Sequence, residues 1–123
     1  MTETPFKPIL QRALEHVPGA LAAIFADWEG EAVDCVAKGV KEEMLIVAAH
    51  YGVILNHVQS VLHLTHFGEA EEVILQHQKL DLIVRAVDKD YYVVLAVNAA
   101  GAHLATALRE IAAAARALRA EMA

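Results

Sequence analysis

Histidine is the residue type in this chain with the most obvious capacity for chemistry, since seven occur among 123 residues. Imidazoles can bind metals or carry protons. His50 and His57 are seven residues apart, and His63 and His66 are three apart, so each pair could share a helical face. No cysteine or carboxylate stands at a complementary spacing, and two imidazoles alone make a weak metal site. We therefore predict no metal or cofactor, and interpret the histidines as polar residues of a protein interface.

Motifs for nucleophilic and phosphate chemistry do not occur in the sequence. The single serine, Ser60, falls within an apolar helical pattern, and Gly-x-Ser-x-Gly is absent. A phosphate-binding Gly-x-x-x-x-Gly-Lys-Ser/Thr loop is absent as well. The single cysteine, Cys35, has no local base and is expected to be a small buried hydrophobic residue. These features predict a protein that is not an enzyme and has no catalytic residues.

Four carboxylates crowd one predicted hairpin, at Asp27, Glu29, Glu31 and Asp34. A catalytic carboxylate pair needs a cleft, so a solvated hairpin tip is the preferred interpretation. Trp28 lies at the same tip and allows two alternatives. It could anchor a partner protein, with Glu29 beside it, or pack over the adjacent helix.

Two arginines could be proposed as arginine fingers, which stabilise the charge on a transferring phosphoryl group of a partner protein. Arg12 falls on the first predicted helix and Arg85 on a predicted strand. Nothing in the sequence favours this role over a surface ion pair.

Composition predicts one folded domain spanning residues 1–123, with a substantial core. Hydrophobic residues make up 57% of the chain, mean hydropathy is +0.38, and the net charge is −6. The ten basic residues are scattered, which disfavours nucleic acid and anionic membranes as partners. No apolar run is long enough to span a bilayer, and Met1–Lys7 does not resemble a signal peptide. We expect a cytoplasmic protein.

Apolar periodicity predicts the element order α-β-β-α-β-β-β-α. The helices are expected at Phe6–Val17, Lys41–Leu64 and Ala102–Met122. The strands are expected at Ala20–Ala26, Glu31–Lys38, Glu71–Gln78, Leu80–Val87 and Tyr91–Val97. The first and last strands are apolar on both sides, so they belong in the middle of one sheet that is covered on both faces.

The central helix is predicted to be apolar on two separate faces. At 100° per residue one stripe is roughly 140° wide; its members are Met44, Val47, Ala48, Tyr51, Ile54, Leu55, Val58, Val61 and Leu62. A second, narrower stripe contains Ile46, Ala49, Val53 and Leu64, with Leu45 beside it. One stripe suffices to dock the helix on its own domain. The second predicts a partner surface, most simply a second copy of the chain, although burial within one domain is the alternative.

The chain resembles the roadblock (roadblock/dynein light chain) family along essentially its whole length. The resemblance rests on the element order, on Pro18–Phe25 followed by the Asp27–Glu31 hairpin, and on Tyr91–Val97 leading into a long amphipathic helix. Its size and alanine-rich last helix are most similar to bacterial members of the MglB and MglC type.

The resemblance implies an α/β sandwich with a five-stranded antiparallel sheet in the order 2-1-5-4-3. The central helix would lie on one face and the two terminal helices on the other. Family members dimerise through the central helix and the third strand. The matching positions here are Leu45, Ile46, Ala49, His50, Val53, His57, Ser60, Val73 and Leu75.

The resemblance also implies a non-enzymatic adaptor in a small Ras-like GTPase pathway of cell polarity or motility. Its expected partners are a second copy, a paralogous roadblock protein, a polarity or motility scaffold, and a small Ras-like GTPase directly or indirectly. The alternative is a GTPase-activating protein that orders the GTPase's own residues. A small-ligand sensor is a third class, but the bulky apolar strands leave no obvious polar contacts for a ligand.

Overall fold

A computed structural model describes residues 4–38, 41–64, 66, 68, 70–99 and 103–123, without the helical side chains of residues 41, 44, 45, 47–49 and 63. Its elements are α1 (Lys7–His16), β1 (Ala20–Asp27), β2 (Ala32–Ala37), α2 (Lys41–His63), β3 (Glu72–Gln76), β4 (Leu80–Ala86), β5 (Tyr91–Asn98) and α3 (Leu104–Met122). The predicted order of elements is confirmed, and their ends differ by a few residues. The predicted start of the last helix, at Ala102, falls outside the described residues.

The five strands form one antiparallel sheet in the order β2-β1-β5-β4-β3. This confirms the fold that the resemblance implied. β1 and β5 lie in the middle, paired from Ala20–Val97 to Asp27–Tyr91, and both are buried on their two faces. Their continuous apolar sequences follow from that position.

Two hydrophobic clusters cover the two faces of the sheet. On one face, α1 and α3 pack on the strands through residues such as Leu10, Ile111 and Leu118, which meet Phe25 and Leu95. On the other face, α2 lies over β1 and β2. Alternate residues of each strand enter opposite clusters, as the period of a pleated strand requires.

β2 is buried only in part. Cys35 is buried in the α2-side cluster as expected, but Val33 is exposed. The other face of β2 contains an apolar residue as well, because Val36 is buried in the cluster between the sheet and α1. β2 is an edge strand, and its pairing with β1 shifts register between Phe25 and Ala26, which separates its first residues from the core.

Candidate protein-interaction surfaces

The outward face of α2 exposes large apolar side chains to solvent. Ile46, Val53, Val61 and Leu64 are 59%, 51%, 61% and 79% exposed, and Ile54 is 42% exposed. The polar side chains of His50, His57 and Ser60 lie on the same side of the helix. A group of exposed large apolar side chains among polar ones is typical of a protein–protein contact.

The inward face of α2 is narrow and centred on Gly52 and Leu55, which are both buried. A Cβ at Gly52 would lie 2.9 Å from Cζ of Tyr92, so only glycine allows this close approach of the helix to the sheet. Tyr92 is fully buried and stacks on Trp28 with ring centroids 4.8 Å apart. Burial, followed by the charge of Asp27, raises the pKa of Tyr92 to about 12, so its hydroxyl stays protonated and uncharged.

This orientation corrects the predicted inward stripe at two positions. Ile54 and Val61 were expected to face the sheet, but both are exposed. The Gly52–Tyr92 contact turns the helix so that Gly52, not Ile54, lies over β5. Ile54 and Val61 therefore enlarge the outward apolar face, and the glycine within an apolar helix was the sequence signal for this rotation.

Two side-chain contacts tie α2 to the segments on either side of β3. The amide of Gln59 donates to the carbonyl of Ala70 at 2.7 Å and accepts from its N–H at 2.8 Å. At the other end of β3, Nδ1 of His77 donates to the carbonyl of Leu80 at 3.2 Å, so Nε2 accepts from the hydroxyl of Tyr51 at 2.6 Å. These contacts position α2 beside the edge strand.

The predicted interface residues are only partly brought together. Ile46, His50, Val53, His57 and Ser60 share the outward face of α2. Val73 and Leu75 lie on the edge strand β3, but both side chains are half-buried and pack against the α2-side cluster. Leu45 and Ala49 fall among the side chains that are not described. The interface itself stays a prediction.

The acids at the hairpin tip are solvated as the sequence predicted, and one of them also closes the turn. Glu29 and Glu31 are exposed, but Oδ1 of Asp27 accepts the N–H groups of both residues at 3.0 Å and so closes the turn. Trp28 is half-buried against Tyr92 of β5, so its ring packs on the sheet. Its role and that of Glu29 in binding a partner stay predictions.

The prediction of a solvated carboxylate is wrong for Asp34. Its carboxylate accepts a hydrogen bond from the Thr4 hydroxyl and one from the Cys35 N–H at 2.8 Å, and lies 3.2 Å from the ammonium of Lys7. Burial alone would raise the pKa of Asp34, but these hydrogen bonds and the charge of Lys7 hold it below its usual 3.8. The side chain therefore fastens α1 to the edge strand.

The remaining candidate residues have ordinary structural contacts. Arg12 lies 4.0 Å from Glu110, and Arg85 lies 3.4 Å from Glu72. His50 donates through Nδ1 to the carbonyl of Ile46 at 2.8 Å, so Nε2 points away from that bond. Among the described residues, no group of three or more His, Cys, Asp or Glu side chains is arranged to hold a metal ion.

No helix in the described part of the chain has the length and apolar character needed to cross a bilayer.

The sequence matches no protein-family model and no curated protein significantly. Several solved structures nevertheless match over more than nine-tenths of both chains. The gliding protein MglB from Thermus thermophilus is 17% identical, with 98% of this chain and 93% of that chain covered and a TM-score of 0.85. MglC from Myxococcus xanthus is 25% identical, with coverages of 96% and 99% and a TM-score of 0.73.

A Roadblock/LC7 domain from Streptomyces avermitilis is 12% identical, with coverages of 93% and 94% and a TM-score of 0.81. A likeness at these identities shows a common fold.

Proposed function

We propose that this chain, which has the roadblock fold of the MglB and MglC structures, is a non-enzymatic dimeric adaptor in a small Ras-like GTPase pathway. The observation that carries the proposal is the outward face of α2, where Ile46, Val53, Val61 and Leu64 are exposed. Leaving such a face in water is unfavourable, and covering it with a second copy removes the apolar area from solvent.

The adaptor role is supported by what the outward face contains. Its polar members His50, His57 and Ser60 can donate or accept hydrogen bonds across an interface, and the exposed acids Glu42 and Glu43 lie at the N-terminal end of the same face. The motility or polarity context is supported by the likeness to a gliding protein. The further partners proposed are a paralogous roadblock protein and a polarity or motility scaffold, and the proposed location is the cytoplasm.

The dimer is tested by replacing Val53 with glutamate. A charge buried in an apolar interface without a partner costs several kcal/mol, so we expect the dimer Kd to rise by roughly 100-fold or more. Sedimentation equilibrium of wild type and V53E measures the change directly.

The matched control is Val33→Glu, the same substitution at an exposed valine on the edge strand β2. It should leave the dimer Kd unchanged. A wild-type protein that sediments as a monomer at high concentration, or equal Kd values for V53E and wild type, would contradict the proposed face.

The GTPase pathway is tested with the full chain as bait in lysate from its source cells, loaded with GDP or with a non-hydrolysable GTP analogue. Recovery of a paralogue or scaffold regardless of nucleotide supports the adaptor. Recovery of a small GTPase only in the GTP-like state, with faster GTP hydrolysis when the purified proteins are mixed, would replace the adaptor with a GTPase-activating role. Recovery of none of these proteins would contradict the pathway.

A further inference from the structure

The outward face of α2 has the same order of residue types in both directions from a point between Val53 and Ile54. An apolar residue comes first, a histidine follows three residues further on, and a second apolar residue follows four residues after that. The members are Val53, His50 and Ile46 toward the N-terminus, and Ile54, His57 and Val61 toward the C-terminus. All six are exposed. The spacing is therefore the same whichever way the helix is read.

The two histidines lie at the centre of this face. At 100° per residue, His50 and His57 differ by about 20° around the helix, with Val53 on one side of them and Ile54 on the other. They are about 10.5 Å apart along the helix axis, at 1.5 Å per residue. The two imidazoles of one chain are thus too far apart to hydrogen-bond with each other.

An antiparallel second copy can place like residues against like on this face. With the two-fold axis between Val53 and Ile54, each residue lies opposite the one at the same distance beyond the axis. His50 of each chain then lies opposite His57 of the second copy, and Ile46 opposite Val61. Sliding one helix by a turn would place His50 against Val53 instead, which buries an imidazole without a polar partner.

The acids at the start of α2 favour the antiparallel arrangement over a parallel one. Glu42 and Glu43 are exposed in the first turn of the helix. A parallel pair would bring these glutamates of both chains to one end and align the two helix dipoles. An antiparallel pair separates them at opposite ends, where Glu43 lies near Leu64 of the second copy.

The tautomer of His50 suits a bond to a second imidazole. Its Nδ1 donates to the carbonyl of Ile46 at 2.8 Å, so its Nε2 is an acceptor. A neutral His57 of the second copy can donate an N–H to that nitrogen. Both imidazoles then enter the interface uncharged and with a polar partner, which removes the penalty for burying them.

Other titratable groups lie away from the imidazoles. Apart from histidines, the described side chains of α2 carry charge only at Glu42 and Glu43, and Glu43 is about 10.5 Å from His50 along the helix. Tyr51 points about 100° away from His50 and is bonded to His77 of the β3–β4 turn. The second copy contributes the same groups by symmetry.

We infer that the second copy binds α2 in this antiparallel register, and that His50 of each chain pairs with His57 of the other to fix the register. The inference rests on the proposed dimer and deepens it, because an apolar face alone would allow several alignments. A polar residue within an apolar helical interface can select one alignment, since every other alignment leaves it without a partner.

The register is tested by disulfide formation between two single variants of the full chain, His50→Cys and His57→Cys. Packed helices are about 8–10 Å apart and their Cα atoms lie about 2.3 Å from each axis, so facing Cα atoms are roughly 4–6 Å apart. A disulfide spans about 4.4–6.8 Å. We expect an oxidised equimolar mixture of H50C and H57C to give a covalent dimer, with one imidazole pair left intact. Cys35 is buried and does not compete.

Each variant alone is the matched control, because the register separates residue 50 from residue 50 of the second copy by about 10.5 Å along the axis. Neither should give a covalent dimer. Cross-linking of H50C alone would show a parallel pair and overturn the inference. Absence of cross-linking in the mixture, while sedimentation shows a wild-type dimer, would overturn the register and leave the dimer standing. A wild-type monomer would contradict the dimer itself.

The imidazole pairing is tested by the pH dependence of the dimer Kd. Histidine gains its charge between pH 8 and pH 5, and two facing imidazolium groups repel each other in an interface that excludes water. Dimerisation therefore releases protons, and we expect the wild-type Kd to rise at least tenfold from pH 8 to pH 5.5. Sedimentation equilibrium at both pH values measures it.

The variant His50→Gln/His57→Gln keeps polar side chains at both positions but cannot gain charge there, so its Kd should change less than about threefold. His16→Gln, at an exposed histidine on α1, should follow wild type. Glu42 and Glu43 are present in all three proteins and contribute equally. A wild-type Kd that does not change with pH, or an equal change in H50Q/H57Q, would overturn the pairing.

Discussion

At the scale of single residues, Asp34 shows how one side chain can connect two elements. It lies on the edge strand β2 and contacts Thr4 and Lys7 at the start of α1. α1 has no side-chain cap at Phe6, and the Asp34 carboxylate places a negative charge beside the positive end of this helix. Neutralising the carboxylate should loosen the first turn of the helix from the sheet.

The free energy of unfolding should therefore depend on the protonation of Asp34. Its pKa in the folded state is below that of the unfolded chain, so its contribution is present above about pH 4 and lost as pH falls through the folded pKa. We expect Asp34→Asn to lower the free energy of unfolding by about 1–2 kcal/mol at pH 7. The difference between this variant and wild type should become smaller in stronger acid, where the wild-type carboxylate is protonated. Urea unfolding at pH 7 and at pH 2–3 measures both quantities.

The control for this prediction is Asp90→Asn, at an exposed carboxylate in the β4–β5 turn. It should change the free energy of unfolding by less than about 0.5 kcal/mol at either pH. A constant difference between wild type and D34N across the whole pH range would show that the carboxylate charge is not the cause.

At the scale of elements, the orientation of α2 decides which side chains face solvent. The contact of Gly52 with Tyr92 brings the helix close to β5, and the stacking of Trp28 on Tyr92 supports the ring from the hairpin side. Because a helix buries only part of its circumference, a small rotation exchanges Ile54 for Gly52 against the sheet. This contact thus shapes the outward face as well as the core.

Replacing Gly52 with alanine should push α2 away from the sheet. Overpacking costs about 1–3 kcal/mol, and the better helix propensity of alanine returns at most about 1 kcal/mol, so we expect a net loss of stability. The loss should shrink when Tyr92 is phenylalanine, because the added methyl group then meets no hydroxyl. A double-mutant cycle of unfolding free energies measures this coupling.

Asn56→Ala, at an exposed residue of the same helix that is not among the predicted interface residues, is the control for a general effect of alanine in α2. We expect a change within about 0.5 kcal/mol. If G52A is as stable as wild type, the contact with Tyr92 does not restrict position 52. The same conclusion follows if G52A lowers the free energy of unfolding by the same amount with Phe at position 92.

At the scale of the whole molecule, stability and assembly should be linked. A chain that leaves several apolar side chains of α2 in water gains stability when a second copy covers them. Because unfolding converts one dimer into two separate chains, the stability of the proposed dimer depends on protein concentration.

The melting temperature of wild type should therefore rise with concentration. A tenfold increase adds about 1.4 kcal/mol, which corresponds to a shift of ~3–6 °C for an assembly of this size. V53E should melt at one temperature at all concentrations, whereas V33E should follow wild type. Calorimetry over a hundredfold concentration range makes the comparison, and a flat wild-type curve would count against coupled dimerisation.

The sequence predicted the elements and the central position of two strands because those features depend on local patterns. Residue periodicity separates helix from strand, and continuous apolar runs place Ala20–Asp27 and Tyr91–Asn98 in the middle of the sheet. The exposed stripe containing Ile46 and Val53 follows from the same counting. The strand order came from family resemblance, since pattern alone does not order the strands.

The tertiary structure decided the features that depend on residues distant in sequence. Asp34 resembled a solvated carboxylate until Thr4 and Lys7 were placed beside it, 30 and 27 positions away. Ile54 turned outward because Tyr92, on another element, meets Gly52. Local pattern determines which face of an element is apolar, but only packing determines which neighbours that face meets.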